Sequence, residues 1–405
     1  MERRTYDAYG FSTRAIHSGN DVDSETGAIL RPINMANSYQ LPYDASQLNW
    51  SASDVNIYTR NGGSNQKYLQ ERIASLEGGE DCVVLGSGVA ALSGLFFALL
   101  KSGDHVIFSS VTYIAVYRLF HELFNTKFGI ETTIMDTSDL AEVEKAVRPN
   151  TRLIHTESPG NPTLKIDDIP ALAAIAHRHG AYLSVDNTFA SPYNQRPIEL
   201  GADFCVESLT KYINGHGDAM GGAIIGRKEE LDKVRYQSQV NLGGTISPFN
   251  AWLIMRGATT LPLRMERHNA NAQAVAEYLE TLPCITFVAY PGLKSNRYHA
   301  LAAKQMSGFG GVLSFGLMAD HDTYNRFVAN LKVITSAVSL GHEESLIVFL
   351  GEGDERQYLY PEEFHAGFLR LSVGLEDIDD LKNDIAQALT AADLLPNARR
   401  NDKRC

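Results

Sequence analysis

Lys211 closes the run Ser208-Leu-Thr-Lys211, a single amine set among hydroxyls and glycines directly after the apolar stretch Ala202 to Val206. A solvated lysine, with a pKa near ~10.4, is a poor nucleophile at neutral pH. Burial or a neighbouring cation lowers that value and makes the amine reactive toward a carbonyl. The setting of Lys211 is that of a Schiff-base lysine. Ser208 and Thr210 can hydrogen-bond a phosphate, and Gly215, Gly217, Gly221 and Gly222 let backbone approach a bulky ligand. A lone Ser-x-Thr-Lys run would more often be a polar surface loop, so the weight falls on what precedes it.

Upstream, Ala181 to Asp186 has the apolar composition of a short buried strand whose last residue is a carboxylate, followed at once by a turn at Asn187 and Thr188. A carboxylate in that place faces a ligand or caps a turn. In enzymes that use pyridoxal phosphate (PLP), a buried carboxylate keeps the ring nitrogen protonated, so that the ring accepts electrons from a substrate carbanion. A third apolar strand, Arg152 to Glu157, runs into the Pro/Gly-punctuated loop Ser158 to Pro162. Gly86-Ser87-Gly88-Val89 sits between a strand (Asp81 to Leu85) and a helical run (Ala90 to Leu100), where helix N-terminal amides form an anion site.

Together these elements resemble the Cys/Met-metabolism PLP-dependent enzymes, the family of cystathionine γ-synthase, the cystathionine and methionine lyases and O-acetylhomoserine sulfhydrylase. The resemblance spans nearly the whole chain and is carried by Ser12-Thr-Arg-Ala-Ile-His-Ser-Gly19, Tyr58-Thr-Arg60, Gly86-Ser-Gly88, Glu157-Ser-Pro-Gly-Asn-Pro162, Val185-Asp-Asn-Thr188, Ser208-Leu-Thr-Lys211, Ser339-Leu-Gly341 and Arg370-Leu-Ser-Val-Gly-Leu-Glu376. It implies an α/β fold of the type I PLP-dependent transferase kind (aspartate aminotransferase-like), with a mostly parallel central sheet, helices on both faces and a smaller C-terminal α/β domain.

It also implies roles. Lys211 would carry PLP and act as the proton-transfer base, Asp186 would hold the ring nitrogen, and Tyr113 would stack on the ring and assist proton transfer. Ser87, Gly88, Val89, Ser208 and Thr210 would hold the phosphate, with Tyr58 and Arg60 reaching it from the neighbouring subunit. Asn161 would hydrogen-bond the phenolic oxygen. Arg370, with Ser339, Leu340 and Tyr58, would bind the amino-acid substrate through its carboxylate. The implied chemistry is γ-elimination through a vinylglycine-type intermediate. The alternative is γ-replacement, as in cystathionine γ-synthase or O-acylhomoserine sulfhydrylase.

Three stretches depart from the family pattern. Asn61-Gly-Gly-Ser-Asn65 follows Arg60 where Asn-Pro-Thr is usual, Ile114 and Ala115 follow Tyr113 where a small Gly or a Gly-Cys pair is usual, and the segment Ile347 to Phe364 lacks the usual His-Pro-Ala-Ser. A typical methionine γ-lyase is disfavoured, and the distal substrate pocket is expected to differ. Glu343, Glu344, Glu352, Asp354 and Glu355 bring carboxylates to that neighbourhood. If they face the pocket, they suit a cationic distal group, which puts canavanine beside cystathionine, homocysteine and O-acylhomoserines as a candidate substrate; most such clusters are solvated surface.

Organisation follows from the changes in periodicity. Residues 1–57 show little apolar periodicity and read as an extended N-terminal arm, 58–255 as a large domain and 256–405 as a small C-terminal domain. The resemblance implies that the arm contributes to a neighbouring subunit and that the large domain binds PLP. The expected assembly is a homo-oligomer, a dimer of dimers by resemblance. At 405 residues with 44% hydrophobic content the chain can bury a large core, and a net charge of −12 argues against a nucleic-acid partner. Cys82, Cys205, Cys284 and Cys405 lack paired or metal-like spacing, so no metal is expected. Without an apolar leader or a run of ~18 apolar residues, the expectation is a cytoplasmic protein with no membrane partner. A Rossmann-type nucleotide binder built on Gly86 to Gly88 lacks the third glycine and leaves Lys211 and Asp186 unexplained.

Overall fold

The computed structural model describes residues 6–46, 48–49, 56–351 and 353–396. Two sheets organise them. The larger has seven strands: β1 (Asp81–Leu85), β2 (His105–Ser109), β3 (Glu131–Met135), β4 (Thr151–Glu157), β5 (Tyr182–Asp186), β6 (Phe204–Glu207) and β7 (Gly222–Gly226). Their order is β1-β7-β6-β5-β4-β2-β3. Strands β3, β2, β4, β5 and β6 run parallel, and β7 is antiparallel to both of its neighbours. Helices such as Gly88–Leu99 and Ile169–Arg178 make the crossovers that parallel pairing requires. Covered on both faces, β2 is buried along its whole length, which explains the near-continuous apolar runs of the sequence.

The second sheet comprises β8 (Ile285–Ala289), β9 (Val312–Leu317), β10 (Thr335–Ser336), β11 (Leu346–Leu350) and β12 (Phe368–Ser372), in the order β10-β11-β12-β9-β8. All its pairings except β10 with β11 are antiparallel. The helix Leu261–Glu280 ties the two sheets together. Its first turns place Leu261 and Met265 in the core of the large sheet, and Ala272, Val275, Ala276 and Leu279 enter the core of the small one.

The parallel strands set the site. Glu157, Asp186 and Glu207 are the last residues of the adjacent strands β4, β5 and β6, with Glu157 in register with Asp186. Ligands in parallel α/β sheets bind outside this carboxyl edge. This edge therefore ends in three buried acids, of which Glu157 and Asp186 are in register and Glu207 lies one residue further along. Val348 and Ser314 flank Arg370 in the small sheet, so the arginine that approaches this edge comes from a rigid central strand rather than a loop.

The N-terminal arm differs from the extended segment expected. Phe11–His17 is a helix, with Ala15 fully buried. The buried Arg72 holds it in place by donating to the carbonyls of Ser18 (2.9 Å) and Ile16 (2.9 Å) and, on its other side, to Met255 (2.7 Å). Seven residues are too few to show apolar periodicity, and the partner of those carbonyls lies more than fifty positions away. Residues 20–46 and 56–63 contain no helix, and Ser38 bridges Tyr58 there.

Candidate active site

Lys211 follows β6 by one turn, and its amine is withdrawn from water. The Nζ donates to Ser339 Oγ at 2.7 Å, and that hydroxyl lies 3.2 Å from His342 Nε2. Burial, reinforced by the positive charge of Arg370, lowers the amine to about 8. Ser339 is held at φ 94°, a left-handed conformation that costs a serine roughly 1 kcal/mol or more. The strain aims its carbonyl and hydroxyl at two different cations. Its carbonyl accepts from Arg370 Nη2 at 3.1 Å while its Oγ holds Lys211. Leu340, next in the chain, is buried in the core.

Arg370 also donates from Nη1 to Asn161 Oδ1 at 3.0 Å. Its Nε is buried without a protein partner. A buried guanidinium keeps an unmatched donor at a cost that a carboxylate ligand would relieve.

At the strand edge, Glu157 receives the backbone N–H of Tyr113 on Oε2 (2.6 Å) and that of Asn161 on Oε1 (2.9 Å). One carboxyl thus ties together the two residues expected to touch the ring and its phenolic oxygen. Burial, with the nearby Asp186, pushes Glu157 well above the usual carboxylate range, while the two amides and the charge of Arg356 pull the other way. Asp186 accepts from the Thr188 amide at 3.0 Å, and burial raises it too. No lysine, arginine or histidine pairs with Asp186 among the described residues. The 41%-exposed Tyr113 ring stands at the start of the helix Ile114–Arg118.

The anion cradle forms where β1 meets the helix Gly88–Leu99. Ser87 caps that helix, its Oγ accepting from Ala90 N at 3.0 Å. A Cβ at Gly88 would come within 2.9 Å of Ser208 Oγ, and one at Gly222 within 2.1 Å of the Ser87 carbonyl. Only glycine lets these segments close around the helix start. The Thr210 hydroxyl lies 3.2 Å from Gly221 O, to which it donates, and 3.1 Å from Gly221 N, from which it accepts. To donate to a phosphate it must give up the first of these.

Within one protomer Lys211, Asp186, Tyr113, Asn161, Arg370 and Ser339 join a single network of strand ends and turns, with Ser87, Gly88 and Ser208 forming the cradle. Tyr58 and Arg60 do not join it. Both are exposed, and the Arg60 guanidinium lies over the Tyr58 ring at 5.1 Å. The carboxylates expected around the distal pocket are mostly spent elsewhere. Asp354 pairs with Arg356 (2.8 Å) and Glu355 with Arg118 (2.7 Å), Glu343 is 3.7 Å from His216, and Glu344 is exposed. Glu352 and Cys405 lie outside the described residues.

Two contributions escaped the reading of the sequence. The role of Glu157 was hidden inside a recognisable motif. Behind Asp186, the buried acids Glu77 and Glu207 both accept from the Asn187 amide (3.2 and 3.1 Å), and Cys205 completes a compact group with them. Burial raises Glu77 to about 7 and Glu207 well above the usual range, so this pair is a proton-sharing support beneath the turn that follows Asp186.

These residues fit pyridoxal phosphate. The helix start offers amides to a phosphate, Asp186 is a buried acid awaiting a cationic partner, Asn161 has its Nδ2 left to donate, and Arg370 has its Nε left for a substrate carboxylate. No helix among the described residues is long and apolar enough to cross a membrane.

Comparison with known proteins gives the family of the chain. Residues 12–390 match the family model of Cys/Met metabolism PLP-dependent enzymes. The chain is 53% identical to a canavanine gamma-lyase of Pseudomonas canavaninivorans over 96% of its own length and 98% of that protein. With an L-methionine gamma-lyase of Pseudomonas putida the identity is 40%, over 95% and 98% of the two chains. The crystal structure of metB from Corynebacterium glutamicum superposes with a TM-score of 0.88 at 38% identity, covering 96% of this chain and 99% of that one. The chain belongs to the Cys/Met-metabolism PLP-dependent enzyme family.

Proposed function

We propose that this protein is a PLP-dependent γ-lyase that eliminates the γ-substituent of an L-amino acid, with a guanidinooxy amino acid such as canavanine as the foremost substrate. The observation that carries the reading is the shared burial of Lys211 and Arg370 around Ser339. It supplies a reactive amine and a carboxylate receptor in one place. The choice of leaving group is supported by 53% identity to two proteins named canavanine gamma-lyase, against 38–40% for those named L-methionine gamma-lyase. Ile114 and Ala115 after Tyr113 and the altered segment from Ile347 to Phe364 point the same way.

Bound pyridoxal phosphate supplies a sink for negative charge developing at the substrate Cα. The chain does the rest. Arg370 orients the substrate carboxylate through its unpartnered Nε, and Asn161 fixes the guanidinium from the other side. Lys211 Nζ takes the α-proton. An ordinary lysine is uncharged in only about one molecule in 250 at pH 8, whereas an amine lowered to about 8 is half uncharged there. Ser339 keeps that Nζ from swinging away, and Tyr113 offers its phenol along the same path. Asp186 holds the pyridine ring in its charged form.

Residues 1–57 act as an arm that brings Tyr58 and Arg60 to the phosphate of a neighbouring subunit, with residues 58–255 and 256–405 as the two domains of each protomer. The exposure of both side chains supports this assembly, a dimer of dimers.

Four experiments test the reading. Lys211→Ala is expected to lose turnover by a factor of about 10³ or more, and borohydride treatment should leave cofactor attached to the parent chain at Lys211 but not to the variant. Asp186→Ala should retain cofactor and lose most activity; turnover within a factor of two of the parent contradicts its role. Canavanine, cystathionine, homocysteine, methionine and O-acetylhomoserine should be offered with and without a thiol and the products identified by mass spectrometry. Canavanine turnover without thiol is expected, and a strict need for thiol reassigns the protein to γ-replacement. Finally, Lys211→Ala chains mixed with Arg60→Ala chains should regain activity as subunits exchange. Failure despite demonstrated exchange contradicts a shared site.

A further inference from the structure

The connection between β11 and β12, where the sequence departs most from its family, folds back onto the segment that carries Tyr113. Its Tyr360, Phe364 and Phe368 pack in one buried cluster with Val111. Arg356, 5% exposed, is the polar end of that contact. Both arms of its guanidinium are held by Asp354, Nε at 3.1 Å and Nη2 at 2.8 Å, and Asp354 is held in turn by the Tyr360 hydroxyl at 2.8 Å. The remaining nitrogen, Nη1, donates to the carbonyl oxygen of Thr112. The N–H of the same peptide unit is that of Tyr113, and it donates to Glu157 at 2.6 Å.

We infer that Arg356 is a positioning residue for Tyr113: with Glu157 it grips the Thr112–Tyr113 peptide unit at both ends and so fixes the direction in which the Tyr113 ring leaves the backbone. The inference rests on the proposed role of Tyr113 over the cofactor ring. That residue is 41% exposed in the protomer, so packing alone does not orient its ring. The backbone must do so. The carboxyl edge of the large sheet holds the N–H end, and the atypical connection of the small sheet holds the C=O end. The placement of the ring, and with it the wall met by the γ-substituent, therefore depends on how the two sheets meet. Two further cross-links follow the same seam: Arg118 with Glu355 at 2.7 Å, an exposed pair that contributes little, and the buried Tyr117 with the exposed Tyr358 at 3.4 Å.

The test uses the cofactor-loaded enzyme and the variants Arg356→Ala and Arg356→Lys, the second keeping one donor for Thr112 without the two-armed grip of Asp354. Hydrogen exchange read by mass spectrometry should rise in the peptide spanning residues 110–118 of Arg356→Ala and stay unchanged over β4, with Arg356→Lys between variant and parent. In parallel, kcat should fall roughly 10- to 100-fold in Arg356→Ala with KM changed less than about threefold. In a Tyr113→Phe background the same substitution should cost less than about twofold. Unchanged exchange over residues 110–118, a rise spread over the whole chain, an unaltered kcat, or an equal loss in both backgrounds each overturns the inference. If Tyr113→Phe alone leaves activity intact while exchange at residues 110–118 still rises, the role given to Tyr113 fails and the grip on the peptide stands.

Discussion

Burial of the Lys211 amine beside Arg370 is the constraint that the rest of the site serves. Two cations taken out of water together repel and lose hydration, and the fold offsets this with oriented oxygens rather than a full counter-charge. Ser339 supplies two of them from a left-handed backbone, and Asn161 supplies the third. Because no carboxylate among the described residues pairs with either group, the amine stays near the middle of the useful pH range. A carboxylate hydrogen-bonded to Lys211 would raise it again and abolish its basicity at neutral pH.

The acids stand one layer away, at the ends of β4, β5 and β6. Asp186 has no cationic partner among the described residues, Glu157 is spent on two amides, and Glu207 and Glu77, both raised by burial, accept from Asn187. Parallel strands place Glu157 and Asp186 in register, while Glu207, one residue past the partner of Asp186, turns to Asn187 and Glu77. Each has a different partner. That division of labour lets a buried row of like charges exist, since only one of them must be ionised when cofactor is bound.

Much of this was legible in the sequence, for physical reasons. Lys211 and Asp186 stood out because each follows an apolar strand and precedes a turn, a local pattern that survives without knowledge of the fold. The strand Asp81–Leu85 and the helix start at Gly88 were legible in the same way. Arg356 was not: its partner is the carbonyl of Thr112, 244 positions away, and a backbone oxygen leaves no trace in the residue types. Glu355 was misleading for the related reason that Arg118, which neutralises it, lies 237 positions away, whereas the partner of Asp354 is Arg356, only two residues on. The helix Phe11–His17 was missed because its stability comes from Arg72 and not from its own periodicity. Tyr58 and Arg60 remain outside the network of a single protomer.

The connection between β11 and β12 is where this chain is most individual, and the structure gives it a definite contact with the Tyr113 segment. The segment bearing Tyr113 and the connection that departs from the family pattern thus meet at one peptide unit. Both still depend on the lowered basicity of Lys211. The most direct measurement is its titration in cofactor-free enzyme, by the pH dependence of its reductive methylation followed by isotope-labelled NMR. The account predicts a pKa near 8 that rises when Arg370 is replaced by methionine, since a like charge is removed. Titration at the ordinary lysine value, ~10.4, in the unaltered protein would contradict it.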